Sequence, residues 1–64
     1  MKLSIEKTHQ IMAQRKMSQN DIANSLDVSA AAVSGYFKNA DKVRSKTIGR
    51  LADALQVGVE EIIE

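Results

Sequence analysis

Residues 17–39, MSQNDIANSLDVSAAAVSGYFKN, place two short helices on either side of a tight turn, and no other stretch constrains the fold as much. Ser18 is a strong N-cap residue, and Asp21 three residues on completes a capping-box pattern at the positive end of the helix dipole. Ile22 and Leu26 then set apolar side chains on one face at i, i+4. Asp27 falls where the chain must turn, Val28 is an apolar plug, and Ser29 caps the next helix. Val33, Tyr36 and Phe37 return an apolar face at i, i+3, i+4, with small Ala23 where the helices approach most closely. The expected spans are 18–26 and 29–38. Helices this short bury little by themselves, so the pair predicts further helices beneath it and hence a whole small domain.

The flanks supply them. Residues 3–15 read as a first helix, with Ser4 able to cap it, Glu6 early, and Arg15 and Lys16 at the end that the dipole favours for cations. Ile5, Thr8, Ile11 and Met12 are its expected inward face. Asn39 is a candidate left-handed C-cap, and NADKVR over 39–44 a connecting loop. A fourth helix opens at the N-cap Ser45 and carries Ile48, Leu51, Ala52 and Leu55 at helical spacing. Val57, Val59, Ile62 and Ile63 fall in a short fifth helix that Gly58 can cap. No β-type alternation of useful length is present. The expected fold is all-α, a compact five-helix bundle forming one domain over residues 1–64. Its expected core is Met12, Ile22, Ala23, Leu26, Val33, Phe37, Ile48, Leu51 and Leu55.

Sixty-four residues lie near the lower limit for a core that needs no staples, and there is no Cys to supply one. The lack of Cys suits a reducing cytoplasm, the expected location. No apolar run approaches the roughly 20 residues that span a bilayer, and the N-terminus, basic only at Lys2, shows no signal peptide. A net charge of +1 conceals an asymmetry: residues 38–50 carry a local +4, residues 51–64 a local −4. A basic patch directly after the second short helix points to a polyanionic partner, and the acidic tail to a face turned away from it. Catalysis finds no support. His9 is the only histidine and reads as solvated; one His without Cys makes no zinc site. Gly35, Gly49 and Gly58 lack phosphate-loop spacing, and Glu60, Glu61 and Glu64 have no visible cleft partner. No cofactor, metal or membrane partner is expected.

Ser18-Gln19, Ile22-Ala23, Val28-Ser29, Val33-Ser34 and the later segment VRSKTIGRLADALQVGVEEII together resemble the Cro/repressor-type (Xre-like) helix-turn-helix family over nearly the whole chain. The resemblance implies a bundle of about five helices, duplex DNA as partner, and commonly a dimer on a two-fold operator. Three departures are informative. The family's Arg on helix 1 and Glu near the end of the recognition helix correspond here to Met12 and Phe37, a double change to apolar residues that leaves no buried charge unpaired. A thioether on an aromatic ring is favourable, so Met12 is expected against Phe37 in the core. The turn glycine is replaced by Asp27, which tolerates a left-handed backbone better than most residues. The base-facing positions are Ala30, Ala31, Ser34 and Gly35, where relatives carry long amides or guanidinium groups.

What the resemblance implies is sequence-specific binding as a bacterial or phage transcriptional regulator of repressor type, helix 29–38 entering the major groove. Gln19 matches a phosphate-contacting position at a helix N-terminus; Ser29, Lys38, Asn39, Lys42, Arg44 and Lys46 are the other expected phosphate contacts, Arg50 a weaker one. With alanines on the reading face, methyl contacts and DNA shape must carry much of the discrimination. The C-terminal apolar residues Val57, Val59, Ile62 and Ile63 either form a homodimer seam or close the bundle core. The alternative function is a helix-turn-helix module of a larger protein serving protein interaction or weakly specific DNA binding.

Overall fold

The computed structural model describes residues 1–64. It contains helices α1 (Ile5–Arg15), α2 (Gln19–Leu26), α3 (Ala30–Lys38) and α4 (Ser45–Leu55), with single 3-10 turns at Ala40–Lys42 and Val59–Glu61. The fold is all-helical, but with four α-helices, not five.

One device, used three times, sets the angles between elements. α1, α2 and α4 each end on a non-glycine residue in the left-handed region: Lys16 (φ 56°), Asp27 (φ 58°) and Gln56 (φ 60°). At each joint two N–H groups fold back onto the last turn. In the α2–α3 turn Asp27 N–H donates to Asn24 O at 3.3 Å and Val28 N–H to Ala23 O at 3.0 Å. Met17/Met12 (2.9 Å) and Val57/Ala52 (3.0 Å) repeat the longer bond at the other two joints. This is the Schellman arrangement, and the apolar residue it requires after the left-handed position is Met17, Val28 or Val57, each packed on the core. The next residue, Ser18, Ser29 or Gly58, opens the following element. Asp27 therefore takes the backbone expected of it. A left-handed non-glycine costs about 1–2 kcal/mol, which the satisfied carbonyls and the half-buried apolar plug offset.

All nine expected core residues are buried, and Leu3, Ala40, Ala52 and Ile62 complete a cluster of 13. Met12 and Phe37 both belong to it. α4 packs on α2 and α1, and α2 in turn on α3. Arg50 on α4 donates to Leu26 O at 2.6 Å, which ties the end of α2 to α4 and gives this arginine a structural role.

The chain ends account for most departures from expectation. Leu3 and Ile63 form an antiparallel bridge, with Ser4 N–H donating to Ile62 O at 2.7 Å and Glu64 N–H to Lys2 O at 2.9 Å. Leu3 and Ile62 are fully buried, a gain of roughly 1.5–3 kcal/mol each by area. Closing this pair stops the expected fifth helix after the turn at Val59–Glu61. It also delays α1 to Ile5, with Ser4 as N-cap accepting from Lys7 N–H at 3.1 Å. Ile5 consequently faces outward, 38% exposed, whereas Thr8 is buried with its hydroxyl donating to Ser4 O at 2.6 Å.

Two smaller corrections and one addition concern Asn39, the start of α4 and His9. Asn39 is not left-handed (φ −121°); it ends α3 by donating from both Nδ2 (3.2 Å) and its backbone N–H (3.0 Å) to Gly35 O. α4 has Arg44, not Ser45, at its N-cap position and no side-chain cap. His9 is exposed, yet its ring meets Phe37 edge-on at 5.0 Å, so it packs as well as being solvated.

Candidate nucleic-acid interface

α3 presents two faces. Val33 and Phe37 point into the core, with Ala32 and Tyr36 half-buried beside them. Ala30, Ala31, Ser34 and Gly35, spaced i, i+1, i+4, i+5, share the other side; the two alanines are exposed, and Ser34 and Gly35 half-buried. A Cβ built at Gly35 would meet nothing within 4 Å, so the space above this face is open. Along Ala30–Phe37 there is no charged or amide side chain.

The start of α3 differs from that of α2. In α2, Ser18 Oγ accepts from Asp21 N–H at 3.2 Å while Asp21 Oδ2 accepts from Ser18 N–H at 2.8 Å, so an acid sits on the positive end. In α3, Ser29 Oγ accepts from Ala32 N–H at 3.1 Å and nothing answers in return. No acid occupies the first turn of α3 or of α4. Both positive helix ends remain uncompensated by the chain itself.

Beside α3 lies an open groove of about 420 Å³, walled by Ala32, Gly35, Tyr36, Asn39, Lys42, Val43, Arg44 and Thr47. It joins the end of α3 to the start of α4 through the turn at Ala40–Lys42. Of the residues singled out from sequence, Gly35, Asn39, Lys42 and Arg44 meet here. Ser29, Lys38 and Lys46 are exposed but outside its lining, and Gln19 is half-buried at the first position of α2. Tyr36 and Thr47 were not singled out for this surface. Thr47 lies one turn from Arg44 at a helix start, which is the signal that could have found it.

The nine cations divide sharply. Lys2 pairs with Glu64 at 3.8 Å, Lys7 donates to Ile63 O at 3.0 Å, Arg15 to Gln56 O at 3.5 Å and Arg50 to Leu26 O at 2.6 Å. Lys38, Lys42, Arg44 and Lys46 have no ion pair and no side-chain hydrogen bond; Lys16, at the end of α1, is the other unpartnered cation. Four free positive groups thus cluster around the groove and the end of α3, against the single acid Asp41. Such an edge attracts a polyanion and gives its charges somewhere to sit. No group of acids and histidines is arranged to hold a metal. No helix is long and apolar enough to cross a membrane.

A family model, the Cro/C1-type HTH DNA-binding domain, matches residues 8–64. No curated protein and no solved structure gives a match.

Proposed function

The chain belongs to the Cro/C1-type helix-turn-helix DNA-binding domain family, and from that premise we propose that it is a sequence-specific duplex-DNA binder acting as a transcriptional regulator of bacterial or phage repressor type. In this reading α3 enters the major groove with Ala30, Ala31, Ser34 and Gly35 toward the base edges. Alanine methyls pack on thymine methyl groups, Ser34 supplies one short hydrogen-bonding group, and DNA shape carries the rest. Gln19 and Ser29 take phosphates at the two helix starts, while Lys38, Asn39, Lys42, Arg44 and Lys46 follow the backbone beyond α3.

The observation that carries the proposal is the cluster of unpartnered cations at Lys38, Lys42, Arg44 and Lys46, set beside the open small-residue face of α3. A module of this size covers only about 600–1,000 Å² of DNA, so tight binding calls for two copies. Ile62 is spent on the core, so a C-terminal seam between copies would draw on half-buried Val57, Val59 and Ile63.

The test is titration of a labelled random-sequence duplex across salt concentrations. Binding should weaken with a log–log slope of about −0.9 per phosphate contacted, and Lys42→Ala and Arg44→Ala should each flatten the slope by about 0.9. Selection from a random duplex pool then reads both specificity and assembly, through enrichment of a two-fold motif. A second reading, a protein-interaction module, is favoured by one feature: α3 offers no long hydrogen-bonding side chain outward between Ala30 and Phe37. No duplex binding at low salt would select it and discard the first.

A further inference from the structure

We propose that the N-terminal strap, Lys2–Ser4, is a positioning element for the DNA-backbone loop: the Leu3 amide fixes the turn at Ala40–Lys42 and so presets Lys42 and Arg44 for phosphate. This inference rests on the DNA-binding reading above and adds to it residues that the family match, 8–64, does not reach.

The turn at Ala40–Lys42 has little hydrogen-bonded support of its own. It is one 3-10 turn with no side-chain cap, and single turns of this kind are weak. Its local bonds run only to near neighbours, as in Lys42 N–H to Asn39 O at 2.8 Å. One hydrogen bond connects residues 39–44 to a distant part of the chain: Leu3 N–H donates to Ala40 O at 3.4 Å. Ala40 and Leu3 are both buried in the same cluster, so the bond is sheltered from water.

The strap is itself firmly seated. Leu3 is 0% exposed. The bonds Ser4 N–H to Ile62 O and Glu64 N–H to Lys2 O clamp it along its other edge. A two-sided ribbon therefore lies between the C-terminus and the loop that carries Lys42 and Arg44. Lys42 and Arg44 flank the braced carbonyl on the C-terminal side and line the groove with Gly35 of α3. Fixing Ala40 fixes the distance between the small-residue face and the two free cations, which is the distance a phosphate strand must match. Preorganisation of this sort raises affinity by removing an ordering cost from the binding step.

Chemical synthesis of the 64-residue chain with an ester in place of the Leu3 amide removes this N–H and keeps every side chain. An ester at Ser4 is the control, since it removes the 2.7 Å bond to Ile62 without touching the loop. Because the Lys2 ester carbonyl is also a weaker acceptor for Glu64 N–H, a Glu64 ester, which deletes that 2.9 Å bond without touching the loop, serves as a further control. At a temperature where circular dichroism shows all the esters fully folded, the Leu3 ester should bind duplex about 2- to 5-fold more weakly, the loss expected for one long, buried hydrogen bond. Its salt slope should flatten by about 0.9. The Ser4 ester should keep the parent's slope. Parental affinity and slope for the Leu3 ester, or an equal loss in either control ester, would overturn the proposal. A second measurement needs no variant. Coupling is reciprocal, so saturating duplex should slow hydrogen exchange at the Leu3 amide of the unmodified chain several-fold, and unchanged exchange counts against it. Failure of the unmodified chain to bind duplex at all is a different result, and it removes the DNA reading together with the strap's role.

Discussion

Two edges of this molecule carry cations, and they use them in opposite ways. At the edge where the termini meet, Lys2 lies against Glu64 and Lys7 against the Ile63 carbonyl. At the edge beyond α3, Lys38, Lys42, Arg44 and Lys46 touch no carboxylate or carbonyl of their own chain. Residue type and exposure are alike at the two edges. What differs is whether the fold brings an acceptor within reach, and a domain that leaves four positive groups without one keeps their charge for an external anion. The terminal edge is sewn; the other is open.

The contrast is broken most severely by a cavity. Ile62→Ala, at a fully buried position of the sewn edge, should cost roughly 2–5 kcal/mol in urea denaturation. In an osmolyte that restores folding, the same variant should show the parent's salt slope for duplex binding, because the Leu3–Ala40 bond that braces the other edge does not involve Ile62. A flattened slope would mean that the terminal edge acts on the free cations through more than that bond. A finer cut compares two helical glycines whose added Cβ meets nothing within 4 Å. Gly35→Ala and Gly49→Ala should each stabilise the fold by about 0.5–1 kcal/mol in thermal melts. Gly35 lines the open groove and Gly49 does not, so only the first should change duplex affinity. The smallest effect is expected at the 3.8 Å pair of Lys2 and Glu64, whose side chains are 55% and 56% exposed. Lys2→Ala should shift stability by less than about 0.5 kcal/mol in the same melts, because solvent screens an exposed pair and ordering two long side chains offsets the attraction.

The helix-turn-helix was legible because its signals are local. Ser18, Asp21, Ser29 and Asp27 act on backbone groups within three or four residues, and the apolar spacing of Ile22, Leu26, Val33 and Phe37 names the buried faces directly. Contacts between remote residues left no such trace. Nothing in the spacing of Leu3 announces that it pairs with Ile63, so the fifth helix was overextended and α1 begun early. Arg50 looked like one more surface base because its acceptor, the Leu26 carbonyl, lies 24 residues back. His9 and Phe37 meet across two helices, a contact that a lone polar residue on a helix flank does not advertise. For the candidate interface, the local pattern shows the run of bases and the small residues of α3, but not the groove that joins them, since its walls come from both α3 and α4.

The antiparallel meeting of Leu3 and Ile63 also determines how this domain can be wired into larger architectures. Facing residues in such a pair stand roughly 5 Å apart, so entry and exit share one doorway. A host protein could accept the whole unit in a surface loop opened by little more than that gap, and the chain could be re-joined end to end and cut elsewhere. Cargo fused to either end would emerge from the same doorway.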